Sequence, residues 1–384
     1  FGLEMREATD NSGADPVVIV EGRRLSRVEA ALLYEEMGKG VQALTTQARG
    51  INPLRPWDAR NAAALDSRTV AQAIDELDIT PRAKSALRAQ VSSDNGVASE
   101  RQSLLAMLSM IAGGEFEKFW TDSEVFRCAA GNQALADRLA LAVGSERVRL
   151  ATPATKVESS GRGVRVTTRA GETLEADDVV VAVPPSVWSV IAFEPGLPVE
   201  LTGVQAPGVQ TGPVVKHLVR VDSRVWRATN TAPEAMLENP VALVWESTDG
   251  QDVPQGPTLA GFGGGPVADA LRSMTREQRD SAVKSAYASA FRTTPDHFGD
   301  TRFMSWPDDP WAGCGYSFPA PGQVTRAGPI LDRGVGRVRF AGEHVSLAFI
   351  GYMEGALSTG VRAAQRIAGV RERPLVREAA GAAT

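Results

Sequence analysis

The densest group of chemically capable residues lies near the carboxyl end, in FAGEHVSLAFIGYMEGALSTGVRAAQRI, Phe340 to Ile367. A short apolar strand there runs into a glycine turn, an aromatic-lined loop and a helix that starts near Met353-Glu354-Gly355. A helix start presents unpaired N–H groups and the positive end of a dipole, which suits an anionic or electron-accepting edge of a ligand. Tyr352 stands at that start. A second candidate is Lys216 in the apolar run PVVKHLV, where a lysine is costly to bury without a partner. Strand alternation sets Val214, Lys216 and Leu218 on one face and Val215 and His217 on the other. The first face reads as the more apolar, which points to a functional lysine.

Other chemistries fail on context. Gly38-Lys-Gly40-Val-Gln-Ala43 fits a G-x-G-x-x-A pattern but follows the helical run LLYEEM rather than a strand, so it reads as a helix break. Gly261-Phe-Gly263-Gly264-Gly265 follows a strand, yet Pro266 takes the last glycine position; it reads as a turn where backbone crosses backbone. No G-x-S-x-G elbow supports a serine hydrolase. Two cysteines, Cys128 and Cys314, and three scattered histidines give no metal-ligand spacing, so no metal is expected. A formal charge of −5, from 41 Lys+Arg and 46 Asp+Glu, supplies no field for nucleic acid. The longest apolar run, LLAMLSMIA at Leu104–Ala112, is too short for a membrane span, which needs about 18 residues. A soluble chain is expected; no signal-peptide pattern occurs, and the compartment is not encoded.

The elements that must position these groups can be read from periodicity. At 384 residues there is room for two or three domains, each of about 100–200 residues. Residues 1–145 read as helices, with i, i+3, i+4 spacing in Val28–Met37 and Ala83–Val91 and start signals at Ser67 and Thr80-Pro81. From Val148 the period becomes that of strands: Val148–Leu150, Thr155–Glu158, Val164–Thr168, Leu174 and the apolar VVVAVPP. Val214–Val221, Val241–Glu246 and Thr258–Gly263 follow as strands, and Thr275–Phe291 as an amphipathic helix. Trp306–Gly328 reads as loop, Val338–Gly342 as strand and turn, and Gly355–Ala368 as a small-residue helix.

Taken in order, these segments resemble the flavin-dependent amine oxidases, the family of monoamine, polyamine and L-amino-acid oxidases. The resemblance rests on CAAGNQALADRL from Cys128, on TPATKV from Thr152 with the meander and VVVAVPP, on Val214-Val-Lys216, on WPDDPWAGCGYSFPAPG from Trp306, and on GYMEGA. Where the family usually has a Gly-Gly pair, this chain has Ala130-Gly131.

Carried over residue by residue, the resemblance implies that Gly342 and Glu343 line the ribityl and phosphate side of FAD and that Met353 offers its N–H to the pyrimidine edge of the ring. Ala154, Lys156 and Val157 fall on the adenine-side strand, and Gly351 and Ala356 complete the cofactor contacts. Tyr352 stands over the ring as a wall of an aromatic slot, Lys216 holds a water for reoxidation by O2, and Trp311 and Tyr316 join them as candidate catalytic residues. Cys314 falls where monoamine oxidases carry the cysteine joined to the flavin; an ordinary buried cysteine is the alternative. The tyrosine that follows in those enzymes is Gly315 here, with Tyr316 one further on. Arg127 and Arg302 are candidates to clamp the carboxylate of an amino-acid substrate.

The implied fold is α/β: an α+β substrate domain with the C-terminal part of a Rossmann-like FAD-binding domain. Residues 1–145 would be the helical part of the substrate domain, 146–200 an FAD-binding segment, 201–328 the substrate-domain sheet and helix, 329–370 the last FAD-binding segment and 371–384 a flexible tail. The implied activity is oxidation of an amine or L-amino acid by hydride transfer to FAD, with imine hydrolysis and release of hydrogen peroxide from O2. Two alternatives stay open: a flavin-dependent desaturase of a non-amine substrate, and a non-catalytic subunit. The family's G-x-G-x-x-G unit does not occur before the helical layer, and the chain begins with Phe1. A separate N-terminal fragment or chain of roughly 80–130 residues, one βαβ unit with linkers, is therefore expected to complete the FAD site. A homodimer is compatible with the sequence but not encoded by it.

Overall fold

The computed structural model describes residues 1–8, 13–202, 209–251 and 253–370. The tail expected at 371–384 lies outside the described residues.

The helical layer forms where caps and apolar stripes agree. Ser26 and Glu29 make a capping box at Arg27–Ala48, and Thr80 caps Pro81–Asp94 with proline at the first position. Ser67 does not start a helix; it ends Ala62–Asp66. The next helix, Val70–Asp75, is capped by Thr69, which has the partner at Gln72 that a capping box needs. Nor do Gly38 and Gly40 break their helix. Both lie inside Arg27–Ala48, where Gly40 lets Leu77, Ile79 and Leu87 close onto the backbone. Leu104–Gly113 is apolar on every side and buried, so it forms the centre of the layer.

The first 145 residues also supply strands, which their short length hid from periodicity. Met5–Glu7 pairs with Phe126–Cys128, while Asp15–Val20 and Arg23–Arg24 join a seven-stranded sheet. Its order is Phe298–Ser305, Val214–Val221, Thr258–Gly264, Leu243–Glu246, Thr231–Met236, Asp15–Val20, Arg23–Arg24. The glycines 261, 263 and 264 are thus strand residues, not a turn. Pro266–Ser273 and Arg276–Ala290 cover one face, burying Val215, Val219 and Val221 against Leu271, Val283 and Tyr287. The buried apolar face of Val214–Val221 is therefore the one with Val215 and His217, and Lys216 points to the other. His217 survives burial because its Nε2 pairs with Asp280 at 2.8 Å.

A second assembly holds Ala154–Ser160, Gly163–Thr168 and Thr173–Ala176 as a meander, with Ala192–Glu194 parallel on its far edge. Val179–Val181 pairs parallel with Val338–Phe340. Val157, Val181, Trp188, Leu331 and Phe340 share one core between these pieces. The expected strand Val148–Leu150 is irregular chain after a 3₁₀ turn at Ser145–Arg147, and the expected loop Trp306–Gly328 gives way to a helix at Gln323–Arg333.

Asp66 fastens that helix to the helical layer. It is fully buried; Oδ1 accepts from the Ser103 hydroxyl at 2.7 Å, and Oδ2 accepts from the N–H and hydroxyl of Thr325 at 2.8 and 2.7 Å. Asp66→Ala strands those donors and is expected to lower unfolding free energy by about 2–3 kcal/mol, read as a lower urea midpoint at unchanged slope.

Candidate active site

Glu343 ties the site together. Its Oε1 accepts the N–H of Ser317 at 3.1 Å, and its Oε2 accepts the N–H of Gly351 at 2.7 Å. Burial pushes its carboxyl up, and those two amides work against the shift. Both oxygens accept from the chain's own backbone, so the side chain joins two loops. Gly342 before it has φ 132°, and Gly351 has φ 80°; a side chain at either would be strained.

Each of those loops carries a tyrosine. Tyr316, on the short strand Tyr316–Ser317 that pairs with Thr211–Gly212, donates its phenol to the carbonyl of Asp94 at 2.5 Å. Its ring packs against Gly351 and Gly96. Tyr352 is the N-cap of Met353–Ile367, half-buried, with a hydrogen bond to Ser123. Burial first, then nearby carboxylates, push both phenols above their ordinary range: Glu124 and Asp94 act on Tyr352, and Asp94, Glu124 and Glu343 on Tyr316. Two acids that no motif had singled out, Asp94 and Glu124, thus lie close enough to both phenols to act on them, and Glu124 and Tyr352 line one cavity. No spacing marked Asp94 or Glu124; only the tertiary contact with the tyrosines does.

Asp94 is the last residue of Pro81–Asp94, where the negative end of the helix dipole opposes a carboxylate. The residue keeps solvent-accessible surface, but the carboxyl is surrounded by protein atoms. That enclosure, with the charge of Glu124 added, raises its carboxyl to about 7, against the hydrogen bond from Gln90. The turn behind it is held by close backbone approaches: a Cβ on Gly264 would strike the carbonyl of Ser93, and one on Gly212 that of Gly96.

Lys216 is exposed, with Nζ 5.5 Å from the Trp245 ring centroid and with Phe262 and Met304 as cross-strand neighbours. Val214, two residues earlier on the same face, packs against Gly96 and Gly315, so the lysine's strand face leads to the Tyr316 loop. Cys314 is buried, 3.2 Å from the Ser186 hydroxyl, and burial pushes its thiol up. Trp311 is not brought into the hollow. It is 56% exposed, with the Arg169 guanidinium 5.4 Å from its ring. Of the adenine-side residues, Val157 is buried between two paired strands and Lys156 pairs with Glu194 at 2.8 Å and Glu158 at 3.3 Å, beside the half-buried Ala154. Arg127 donates to the carbonyls of Ser247 and Asp249, and Arg302 lies exposed on the edge strand Phe298–Ser305.

The residues present fit a flat redox ring with a polar edge. No side chain caps Met353–Ile367; Gly355 and Ala356 return their N–H groups to Tyr352, which leaves the Met353 and Glu354 amides at the open end. Met353 and Ala356 are exposed there, as are Leu357 and the apolar Val180 and Val183. A Cβ on Gly355 would collide with the carbonyl of Phe349, so the glycine is what lets the loop close onto the helix start.

Since Asp94 binds its proton more tightly in the folded chain than unfolded, its stabilising contribution is complete below about pH 4 and lost as pH rises through about 7. Asp94→Asn removes that slope. Its melting temperature is expected to gain on the wild type between about pH 4 and 7 and to level off above, measured by thermal melts across that range.

The sequence pattern of the family described as flavin containing amine oxidoreductase matches residues 2–368. Flavin-containing amine oxidase A of Equus caballus is 27% identical over 334 residues, covering 81% of this chain and 60% of its own length. Flavin-containing amine oxidase B of Bos taurus is 28% identical over 326 residues, covering 81% and 61%. The chain thus spans about 60% of the length of the curated relatives it matches. Among solved structures, cyclohexylamine oxidase from Brevibacterium oxydans superposes with a TM-score of 0.85 at 26% identity, covering 96% of this chain and 83% of the other. Putrescine oxidase bound to putrescine shares the fold at a TM-score of 0.83 and 22% identity, with the same coverage. With its fold, its paired tyrosines over an open helix start and a match along nearly its whole described length, the chain belongs to the flavin-containing amine oxidoreductases.

Proposed function

We propose that this chain holds FAD and oxidises amines. The observation that carries the reading is the pairing of Tyr316 and Tyr352 beside the uncapped start of Met353–Ile367, locked by one carboxylate, Glu343. Bound FAD supplies the acceptor for a hydride from the C–H next to the amine nitrogen, and O2 takes the electrons to give hydrogen peroxide. The amides of Met353 and Glu354, at the open helix start, would hold the edge of the ring that gains electron density. Tyr352 and Tyr316 wall the slot, exclude water and favour the neutral amine, the form able to give up a hydride. Glu343 is a positioning residue. Residues 146–200 and 329–370 act as the cofactor half and the seven-stranded sheet with its helical layer as the substrate half.

Lys216 is the candidate to hold a water near the ring for the reaction with O2. Among the described residues its ammonium is solvent-facing and lies against an aromatic face, with donors available to orient a water. Cys314 reads as an ordinary buried thiol: held up in pKa beneath Ser186, it lacks the thiolate character that nucleophilic attachment needs. An amine fits better than an amino acid, because Arg127 is spent on backbone carbonyls and the hollow is lined by acids that repel a carboxylate.

The test is peroxide release from an amine panel by FAD-loaded protein; no turnover of any primary amine would overturn the reading. Two variants sharpen it. Lys216→Met is expected to slow reoxidation by O2 on the order of 10²-fold while leaving anaerobic reduction by amine near wild type, resolved by stopped-flow absorbance. Tyr352→Phe keeps the wall and is expected to stay within a few-fold of wild type, whereas Tyr352→Ala loses roughly 10²-fold in kcat/KM through misplaced substrate.

A further inference from the structure

Tyr316 is held at both ends, and the two holds are separate pieces of chain. Its backbone belongs to the strand Tyr316–Ser317, while its phenol is bonded to the Asp94 carbonyl at 2.5 Å and its ring packs against Gly96. Asp94 ends the helix Pro81–Asp94, and Gly96 lies in the turn that follows. The phenol has one position only if turn and strand keep a fixed separation. The Glu343 bonds run from the strand to Gly351 and leave the turn to be placed by something else. Three consecutive residues, Arg101, Gln102 and Ser103, reach both pieces. On the strand side, the Ser103 N–H donates to the Pro319 carbonyl at 2.8 Å. The Arg101 carbonyl accepts from Gln210 Nε2 at 2.9 Å, and the same nitrogen donates to the Phe318 carbonyl at 3.0 Å. Phe318 returns its N–H to the Gln210 carbonyl at 3.0 Å.

Gln102 holds the turn side. It is fully buried; Nε2 donates to the carbonyls of Val91 at 2.9 Å and Val97 at 2.6 Å, and Oε1 accepts from Asn95 Nδ2 at 2.9 Å. A primary amide carries two N–H donors and one carbonyl, and each finds a partner on a different residue of the segment 91–97. Glutamate would lose both donors, and leucine all three bonds. We propose that Gln102 is a positioning residue for Tyr316: it sets where the phenol's acceptor stands relative to the strand that carries the ring. Its consequence for turnover rests on the amine oxidase reading, whereas the placement is a property of the folded chain alone. Without the amide the turn is released while the strand stays paired with Thr211–Gly212. The phenol then loses its fixed acceptor, and one wall of the slot loses its single position.

The placement is read by fluorine NMR on the full chain carrying Tyr316→3-fluorotyrosine, a measurement that needs no flavin. One line, displaced from that of the free amino acid, is expected in the otherwise native chain. Gln102→Leu is expected to broaden it or move it toward the free position, and Asn95→Ala, which leaves both Gln102 donors in place, to do so less. Val283→Ala, a truncation in the core under the seven-stranded sheet, lowers stability but is expected to leave the line unmoved. In FAD-loaded protein, Gln102→Leu is expected to slow anaerobic reduction by the fastest amine of the panel roughly tenfold while reoxidation by O2 stays near wild type. Because Gln102 acts through Tyr316, adding Gln102→Leu to Tyr316→Ala is expected to cost less than about twofold more, where independent sites would multiply. A fluorine line unmoved in both Gln102→Leu and Asn95→Ala, or losses that multiply in full, overturns the inference and leaves the oxidase reading intact. Should Gln102→Leu fail to fold, an unmoved line in Asn95→Ala overturns it alone. The expected line changes in a chain that turns over no amine sink the oxidase reading and leave the placement standing.

Discussion

One buried carboxylate sets the distance between the two walls of the site. Glu343 accepts from Ser317 and from Gly351, and each donor is the residue beside a tyrosine: Tyr316 precedes Ser317, and Tyr352 follows Gly351. A charged acceptor buried away from water is tolerable only while its oxygens are satisfied. Neither loop can therefore swing away without stranding a charge, and the rings are coupled through backbone rather than through their own contacts. Positioning of this kind survives changes at the ring itself, because it does not use the phenols.

A second constraint holds the opposite wall. The turn after Pro81–Asp94 is pressed against Gly212 and Gly264, where side chains would strike the carbonyls of Gly96 and Ser93. Those glycines lie on the strands Thr211–Gly212 and Thr258–Gly264. The first of these pairs with Tyr316–Ser317 and the second with Val214–Val221, the strand of Lys216. Helical layer and sheets are consequently fastened at the point where the Tyr316 phenol meets the Asp94 carbonyl. Glycine serves here through the absence of a Cβ: it brings backbone to backbone where any side chain would open the hollow.

Much of the fold was legible because local signals agreed with tertiary demands. The capped helices at Thr80 and Thr275 and the strand Val214–Val221 stand where caps and alternation place them. Errors arose where a local signal had two readings. Gly40 of the helix Arg27–Ala48 marks close packing under Leu87 and not a break, and the face of Lys216 was misjudged because His217 looked polar until its Asp280 partner supplied a reason to be buried. In the site, Tyr316, Tyr352, Glu343 and the helix start were visible as a motif, but what Glu343 does was not: its two donors lie 26 and 8 residues away in sequence. Asp94 and Glu124 were invisible, since a lone acid at a helix end or in an irregular turn resembles solvated surface until the fold brings both to the same phenols.

The site is polarised from one side to the other, and the arrangement has a chemical logic. The open start of Met353–Ile367 offers amide donors and a positive dipole end, whereas Asp94 and Glu124 offer negative charge, with the two tyrosines between. The low-dielectric aromatic slot between them keeps both fields strong, since little water intervenes to screen them. The phenols resist ionisation for a related reason: burial disfavours a phenolate first, and the nearby carboxylates of Asp94 and Glu124 add like-charge repulsion.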